Sequence, residues 1–478
     1  MNSLQKKISY LLLLVVSSSF LLAGCRTKEE GPAKQTYDGI ELNYYKMFDD
    51  SDVLEPIIAQ YEAAHPGLNI NYRQFTDFDE YQNLILNEMA EGEGPDIFSM
   101  QNTWFTRNYK KLEPMPQQFG SPADFAATFV DVAYNDLVRT DQNGIEQVYG
   151  MPLTVDTLAL YYNKDHFEDR IPNRGKPADT WEGIKEDVVL LNKEDNSFER
   201  FEVAGIAMGR ADNISRGVDI LYLLFLQYGV DFYNENISQA TFAGQQGGIA
   251  SYPALEALDF FVSFADEKQK HYSWNQFITD LSSEEKELDA FVRGKVSMMV
   301  GFSYSYDEIL NTIEILKSKG VKTIDPSAIK IAAIPQIFDP DVSTEKRVTY
   351  ANYFAEAVSR NSEHSDIAWD FLIELTKKEN LQHYFDKVHK PTSRRDMIGA
   401  QKKDPIYGVF ADQIGFAESF PIIDYYTYKR IFTEVITKAN DGDASRSGLV
   451  DAQDEIDTLL PEEGLLVPKV EVIEETVE

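Results

Sequence analysis

The side chains in this chain that could do chemistry are acids and aromatics rather than nucleophiles. Asp156 stands at the edge of an apolar and aromatic run, residues 157–163, after a stiff entry at Met151 and Pro152. Such a carboxylate is either a strand-end group facing water or a hydrogen-bond acceptor aimed into a cleft. Gln101, Asn102 and Trp104 follow a short strand candidate that begins at Ile97, so they stand at its carboxyl end. Ligands of open α/β sheets bind outside such ends. Tyr304 and Tyr306 follow a second strand candidate, residues 296–300, and Tyr353 lies in an aromatic stretch at 348–357. Asp50 and Trp274 complete the candidate set. Aromatic faces cover the C–H faces of polyhydroxylated rings, and planar polar groups pair with hydroxyls. The chemistry on offer is therefore non-covalent capture, although most of the 26 tyrosines must serve packing as in any fold.

Catalytic patterns are missing. The six histidines are scattered, without metal-ligand spacing. There is no G-x-S-x-G elbow, and the single cysteine, Cys25, lies near the N-terminus. Gly294-Lys295 lacks the earlier glycine of a phosphate loop. With 79 acidic residues, two carboxylates can always be paired on paper, and no local pattern selects a pair. No cofactor, metal or nucleotide is implied. Asn213 and Asn236 each begin an Asn-Ile-Ser sequon, read as chance.

These residues must be positioned by elements. A length of 478 residues suits two lobes with separate cores, and 43% hydrophobic content suits a folded chain. The net charge of −34 argues against a broad nucleic-acid surface and suits a soluble, self-repelling one. Ile40, Leu42 and Tyr44 alternate as a strand, and Val53, Leu54, Ile57, Ile58 and Tyr61 form a helical stripe ending at Pro66-Gly67. Leu68, Ile70 and Tyr72 alternate again, then Tyr81, Leu84, Ile85 and Met89 mark a second helix before Ile97. The order β-α-β-α-β indicates a sheet with helices on its faces. Further on, Thr180 caps a helix whose Trp181 is read as packing, and residues 218–228 form a buried helix. Strands are expected at 201–208 and 329–334, and helices at 254–264, 366–378 and 428–439.

The N-terminus is an export signal. Lys6 and Lys7 precede an apolar stretch, 10–22, too short for a comfortable membrane span. It ends in Leu22-Ala23-Gly24-Cys25, which resembles the lipobox of bacterial lipoproteins, where cleavage precedes the cysteine and lipid is attached to its sulfur. Residues 1–24 are then a signal peptide and 25–38 a tether. The resemblance implies a protein at the extracytoplasmic face of the cell membrane, held by lipid on Cys25.

Several ordered motifs carry a family resemblance. Gly150-Met-Pro152, then Leu158-Ala-Leu-Tyr-Tyr-Asn-Lys-Asp-His-Phe167, is similar to the strand where the chain crosses between lobes in extracellular solute-binding proteins of carbohydrate ABC importers (family 1, maltose-binding-protein-like lipoproteins). Gly94-Pro95-Asp96-Ile97, the segment Pro177-Ala-Asp-Thr-Trp-Glu182, and Phe291-Val-Arg-Gly-Lys-Val-Ser-Met298 resemble further markers of that family. So do Ala368-Trp-Asp-Phe-Leu372 and, more loosely, residues 390–395. The resemblance spans about residues 40–440. It implies a two-lobed α/β fold of the periplasmic-binding-protein type, with a hinge and an interlobe ligand cleft. Lobe 1 is expected at 39–155 and 348–389, lobe 2 at 156–347 and 390–460, with crossings near Asp156, Val348 and Lys390 and a mobile acidic tail at 461–478. It also implies that Asp156 binds sugar hydroxyls and that aromatics after Gly301 stack on sugar; here they are Phe302, Tyr304 and Tyr306, where relatives usually have tryptophan. The implied partners are a carbohydrate, ABC permease subunits and the membrane, for a monomer that is not an enzyme. Rival readings are the same fold binding a peptide or polyol phosphate, for which Arg394-Arg395 is the one tight arginine pair, a lipid-anchored glycan hydrolase, or a structural or sensory surface protein.

Overall fold

The architecture comes from a computed structural model, which describes residues 37–194, 201–247, 251–278, 286–339 and 345–466. The export signal, Cys25 and all but the last two residues of the expected tether lie outside the described residues. Alternating apolar residues build β1 (Ile40–Met47), and the expected stripe is buried on α1 (Ser51–Ala64). β2 (Leu68–Phe75), α2 (Phe78–Glu91) and β3 (Ile97–Gln101) follow. After several short helices come β4 (Met151–Pro152), β5 (Ala159–Asn163) and α3 (Trp181–Leu191). Thr180 caps α3, accepting the Gly183 N–H at 3.2 Å, and Trp181 is buried with its indole donating to Gln227 at 2.7 Å. Then come β6 (Lys193–Glu194), β7 (Phe201–Ile206), α4 (Gly217–Gln227), α5 (Pro253–Val262), β8 (Val296–Gly301), α6 (Ser305–Ser318) and β9 (Ile329–Ala332). The chain closes with β10 (Thr349–Tyr350), β11 (Phe354–Val358), α7 (Ser365–Leu375), α8 (Lys378–Val388), β12 (Ala417–Glu418), α9 (Tyr425–Asn440) and α10 (Ser445–Asp457).

Two five-stranded sheets result, ordered β2-β1-β3-β11-β4 and β9-β5-β8-β7-β6. In the first, β1 is parallel to β2 and β3, while β11 runs antiparallel to β3 and β4. In the second, β8 is parallel to β7 and antiparallel to β5, which also pairs antiparallel with β9. Each sheet has its own hydrophobic core. The fold is thus two α/β lobes, as the motif order implied.

The segments between the lobes run side by side. Thr157 bridges Ala351, the Leu158 N–H donates to Tyr350 O at 3.2 Å, and the Asn352 N–H donates to Asp156 O at 3.1 Å. The Val155 N–H donates to Pro391 O at 3.1 Å, and β10 pairs with β12. This backbone pairing brings the carboxyl end of β3 and the amino end of β11 to face those of β8 and β5.

Two expected boundaries differ. The crossing placed near Lys390 comes later: Met397 is still buried in the first core, and Tyr407 and Phe410 are the residues that enter the second. The expected tail at 461–478 is not free at its start. Leu465 and Leu466 N–H groups donate to Asn236 O at 2.9 and 3.1 Å, because both leucines pack against the second core.

Candidate functional site

Asp156 sits at the hinge, just before β5, and is only 4% exposed. Its carboxylate accepts the Ser303 hydroxyl at 2.7 Å, the Ser303 N–H at 3.1 and 3.2 Å, and the Thr157 N–H at 2.9 Å. Burial pushes its pKa up to about 6, against the opposing pull of those donors and of Lys390. The partner that a buried acid requires is therefore the turn after β8. Asp156 fixes the turn that carries Phe302 and Tyr304.

Those two rings stack at 5.8 Å between centroids, and the Arg216 guanidinium lies over both, 5.6 and 5.5 Å from their centroids. Arg216 reaches Asp219 at 3.4 Å. Burial alone would lower the Arg216 pKa; Tyr304 and Asp219 more than offset it, so the charge is secure. Arg216 lies between the strand and the helix expected at 201–208 and 218–228, and nothing in its spacing marked it.

From the first lobe, an aromatic row meets this corner. Phe78 lies 5.0 Å from Trp104, 6.1 Å from Phe354 and 5.5 Å from Tyr425, and Phe48 lies 5.8 Å from Phe354. Tyr425 and Tyr426 open α9, which packs in the second lobe, so the row crosses from one lobe to the other. Burial and then Asp219 push the Tyr425 pKa up to about 12, with Arg216 opposing. Phe48, Phe78, Phe354, Tyr425 and Tyr426 were not singled out from sequence. Phe78, beside the N-cap Asp77, resembled any helix-start residue.

The other expected residues are distributed differently. Gln101 donates from Nε2 to Asn352 Oδ1 at 2.8 Å, while its buried Oε1 has no partner among the described residues. Asn102 and Tyr353 are buried and both donate to Asp136, at 2.9 Å each; Asp136 also takes the Ser419 hydroxyl at 2.5 Å. They form an internal polar network that joins β3, β11 and β12, and do not line an open surface. Tyr306 packs edge-on to Tyr407, 5.9 Å between centroids. Asp50 is exposed before α1 and accepts Gln74 Nε2 at 2.8 Å. Trp274 is the clear correction. It is fully buried in the second core, with its indole donating to Asn213 at 2.9 Å, because a large ring between loops was free to turn inward.

Beneath the first lobe's edge lies a buried charge cluster. Lys46 contacts Glu356 at 2.5 Å and Asp49 at 3.3 Å, Tyr384 donates to Asp49, and Lys390 reaches Asp49 at 3.3 Å. Burial raises the Asp49 pKa, but Lys390 and Lys46 outweigh it and the net shift is downward. Lys390 thus ties the segment after α8 to the loop after β1. Arg394 and Arg395 do not form an anion site: Arg394 pairs with Asp396, and Arg395 with Asp131. Among the described residues no group of His, Cys, Asp or Glu is placed to hold a metal, and no helix is long and apolar enough to cross a membrane.

Comparison with known proteins adds to this geometry. A binding protein of Brucella abortus (strain 2308) is 22% identical over 331 residues, 68% of each chain. The galactooligosaccharide-binding protein of Bacillus subtilis (strain 168) is 26% identical over 153 residues, 32% of this chain and 34% of that one. Among solved structures, the sugar-binding protein MalE from Xanthomonas citri has a TM-score of 0.67 at 15% identity, over 88% of this chain and 97% of that one. That last likeness is one of fold alone. The family described as bacterial extracellular solute-binding protein matches residues 49–382, well over half the chain. Two lobes joined at a hinge, an aromatic row between them and this match place the chain in the bacterial extracellular solute-binding protein family.

Proposed function

We propose that the protein captures a carbohydrate, most simply an oligosaccharide, between its lobes and delivers it to the membrane permease of an ABC importer. One observation carries the reading: the aromatic row that runs from Phe48, Phe354, Phe78 and Trp104 to Tyr425 and Tyr426. The rings pack edge-on or tilted against one another, and such an aromatic cluster between lobes suits the C–H faces of sugar units, while Arg216 and Gln101 supply hydrogen bonds to hydroxyls. The oligosaccharide- and sugar-binding names of the relatives support the ligand class. In this reading Asp156 is a positioning residue. It holds the turn that presents Tyr304, and it lies beside the hinge, where lobe closure would be felt. Closure excludes water and presents the permease with a surface that the open form lacks. Lipid on Cys25 would keep the protein at the extracytoplasmic face of the membrane.

A thermal-shift screen of the purified protein against mono- and oligosaccharides, polyols and peptides tests this. Binding to the native state alone raises the midpoint by mass action. A rise with one sugar class and no product formed is the expected result. A rise with peptides alone, or hydrolysis of the glycan, contradicts it. Lipid anchoring is tested separately: Cys25→Ala should move the protein from the membrane to the soluble fraction.

A further inference from the structure

A cavity of 170 Å³ opens beside the aromatic row and shares Trp104 with it. Its apolar wall is made by Ile85 and Met89 of α2, Phe98 and Met100 of β3, and Trp104. Arg107, Lys111 and Asp424 also line it. Arg107 and Lys111 are four residues apart along consecutive short helical turns, Phe105–Asn108 and Tyr109–Lys111, so they share a face.

Three features distinguish this cavity from an ordinary packing gap. Trp104 is 8% exposed, and its indole N–H is buried without an acceptor among the described residues. A buried donor left in that state costs free energy that a ligand acceptor would recover. Neither Arg107 nor Lys111 forms an ion pair among the described residues, in a chain with 79 acidic against 45 basic side chains. Loss of hydration, then the Arg107 charge, holds the Lys111 ammonium below its ordinary pKa, as expected for like charges brought together without a counterion. The one acid in the lining, Asp424, contributes a negative charge but forms no ion pair with either cation among the described residues; it caps α9 by accepting the Thr427 N–H at 2.8 Å.

We infer that this cavity is a subsite for an acidic sugar unit, with the ring against Trp104 and a carboxylate or sulfate between Arg107 and Lys111. The inference rests on the carbohydrate reading and narrows it to anionic glycans. Because Ile423 and Asp424 lead into α9 while the wall belongs to the first lobe, an occupant would touch both lobes. Arg107 also donates to Ile423 O at 2.8 Å, so its removal disturbs that segment; Lys111 makes no such side-chain bond and is the cleaner variant.

The test is calorimetric titration of the full chain in detergent with neutral, uronate-terminated and sulfated oligosaccharides of equal length. The expected result is a preference for one or both acidic forms over the neutral one of about tenfold or more, weakening with salt. The preference should collapse in Lys111→Gln, with the thermal midpoint reported for the same variant. Equal affinity for neutral and acidic forms overturns the subsite and leaves the carbohydrate reading standing. So does a preference that survives both Lys111→Gln and Arg107→Gln. Failure of every glycan to bind overturns both.

Discussion

Asp156 gives the hinge a pH signature. Its folded pKa of about 6 lies above the ordinary carboxylate value of about 3.9. Protonation therefore favours the folded form. The stabilisation from this group is complete below about pH 4 and is lost as pH rises through about 6. Urea unfolding at about pH 4 and about pH 7 should show the wild-type chain losing roughly 3 kcal/mol more than Asp156→Asn. An equal loss in both would mean that Asp156 is not buried as described. Trp274 makes the opposite case, an aromatic expected at the site and found in the core. Trp274→Ala should cost about 3–5 kcal/mol of stability. Sugar affinity, measured well below the lowered midpoint, should be unchanged.

At the scale of elements, α9 and β11 matter most. α9 begins with two tyrosines held at the lobe boundary, and Tyr425 spans it through Phe78. Tyr425→Ala should weaken ligand binding about tenfold by calorimetry with a small change in midpoint, since removing one stacked ring costs about 1–2 kcal/mol. β11 places Glu356, which is fully buried, against Lys46. Glu356→Gln leaves that ammonium with Asp49 alone and should cost about 3 kcal/mol in urea unfolding. Helices with a broad apolar stripe, such as α1, were readable from sequence because burial writes a period into them. α10 was missed because only Leu449, Ala452 and Ile456 are buried. Candidate residues at strand ends were placed correctly along the chain, but their side-chain direction was not readable. Asn102 and Tyr353 turned inward to Asp136, while Arg216, from a polar loop, lies over Phe302 and Tyr304. Such directions depend on contacts tens to hundreds of residues apart, which no local pattern encodes.

For the whole molecule, the two-lobed fold was legible from the order of motifs, while the later lobe crossings were not, since residues 390–424 pass near both cores without a periodic element long enough to assign them. In the proposed function a sugar binds on the aromatic row between the lobes. The protein has four tryptophans, of which Trp181, Trp274 and Trp369 are at most 1% exposed, leaving Trp104 as the one in the row. The most direct measurement is therefore tryptophan emission during titration with oligosaccharides. A saturable change with one sugar class, abolished in Trp104→Phe while the remaining emission persists, is the expected result. A change that survives in Trp104→Phe, or no change with any sugar that raises the thermal midpoint, would contradict it.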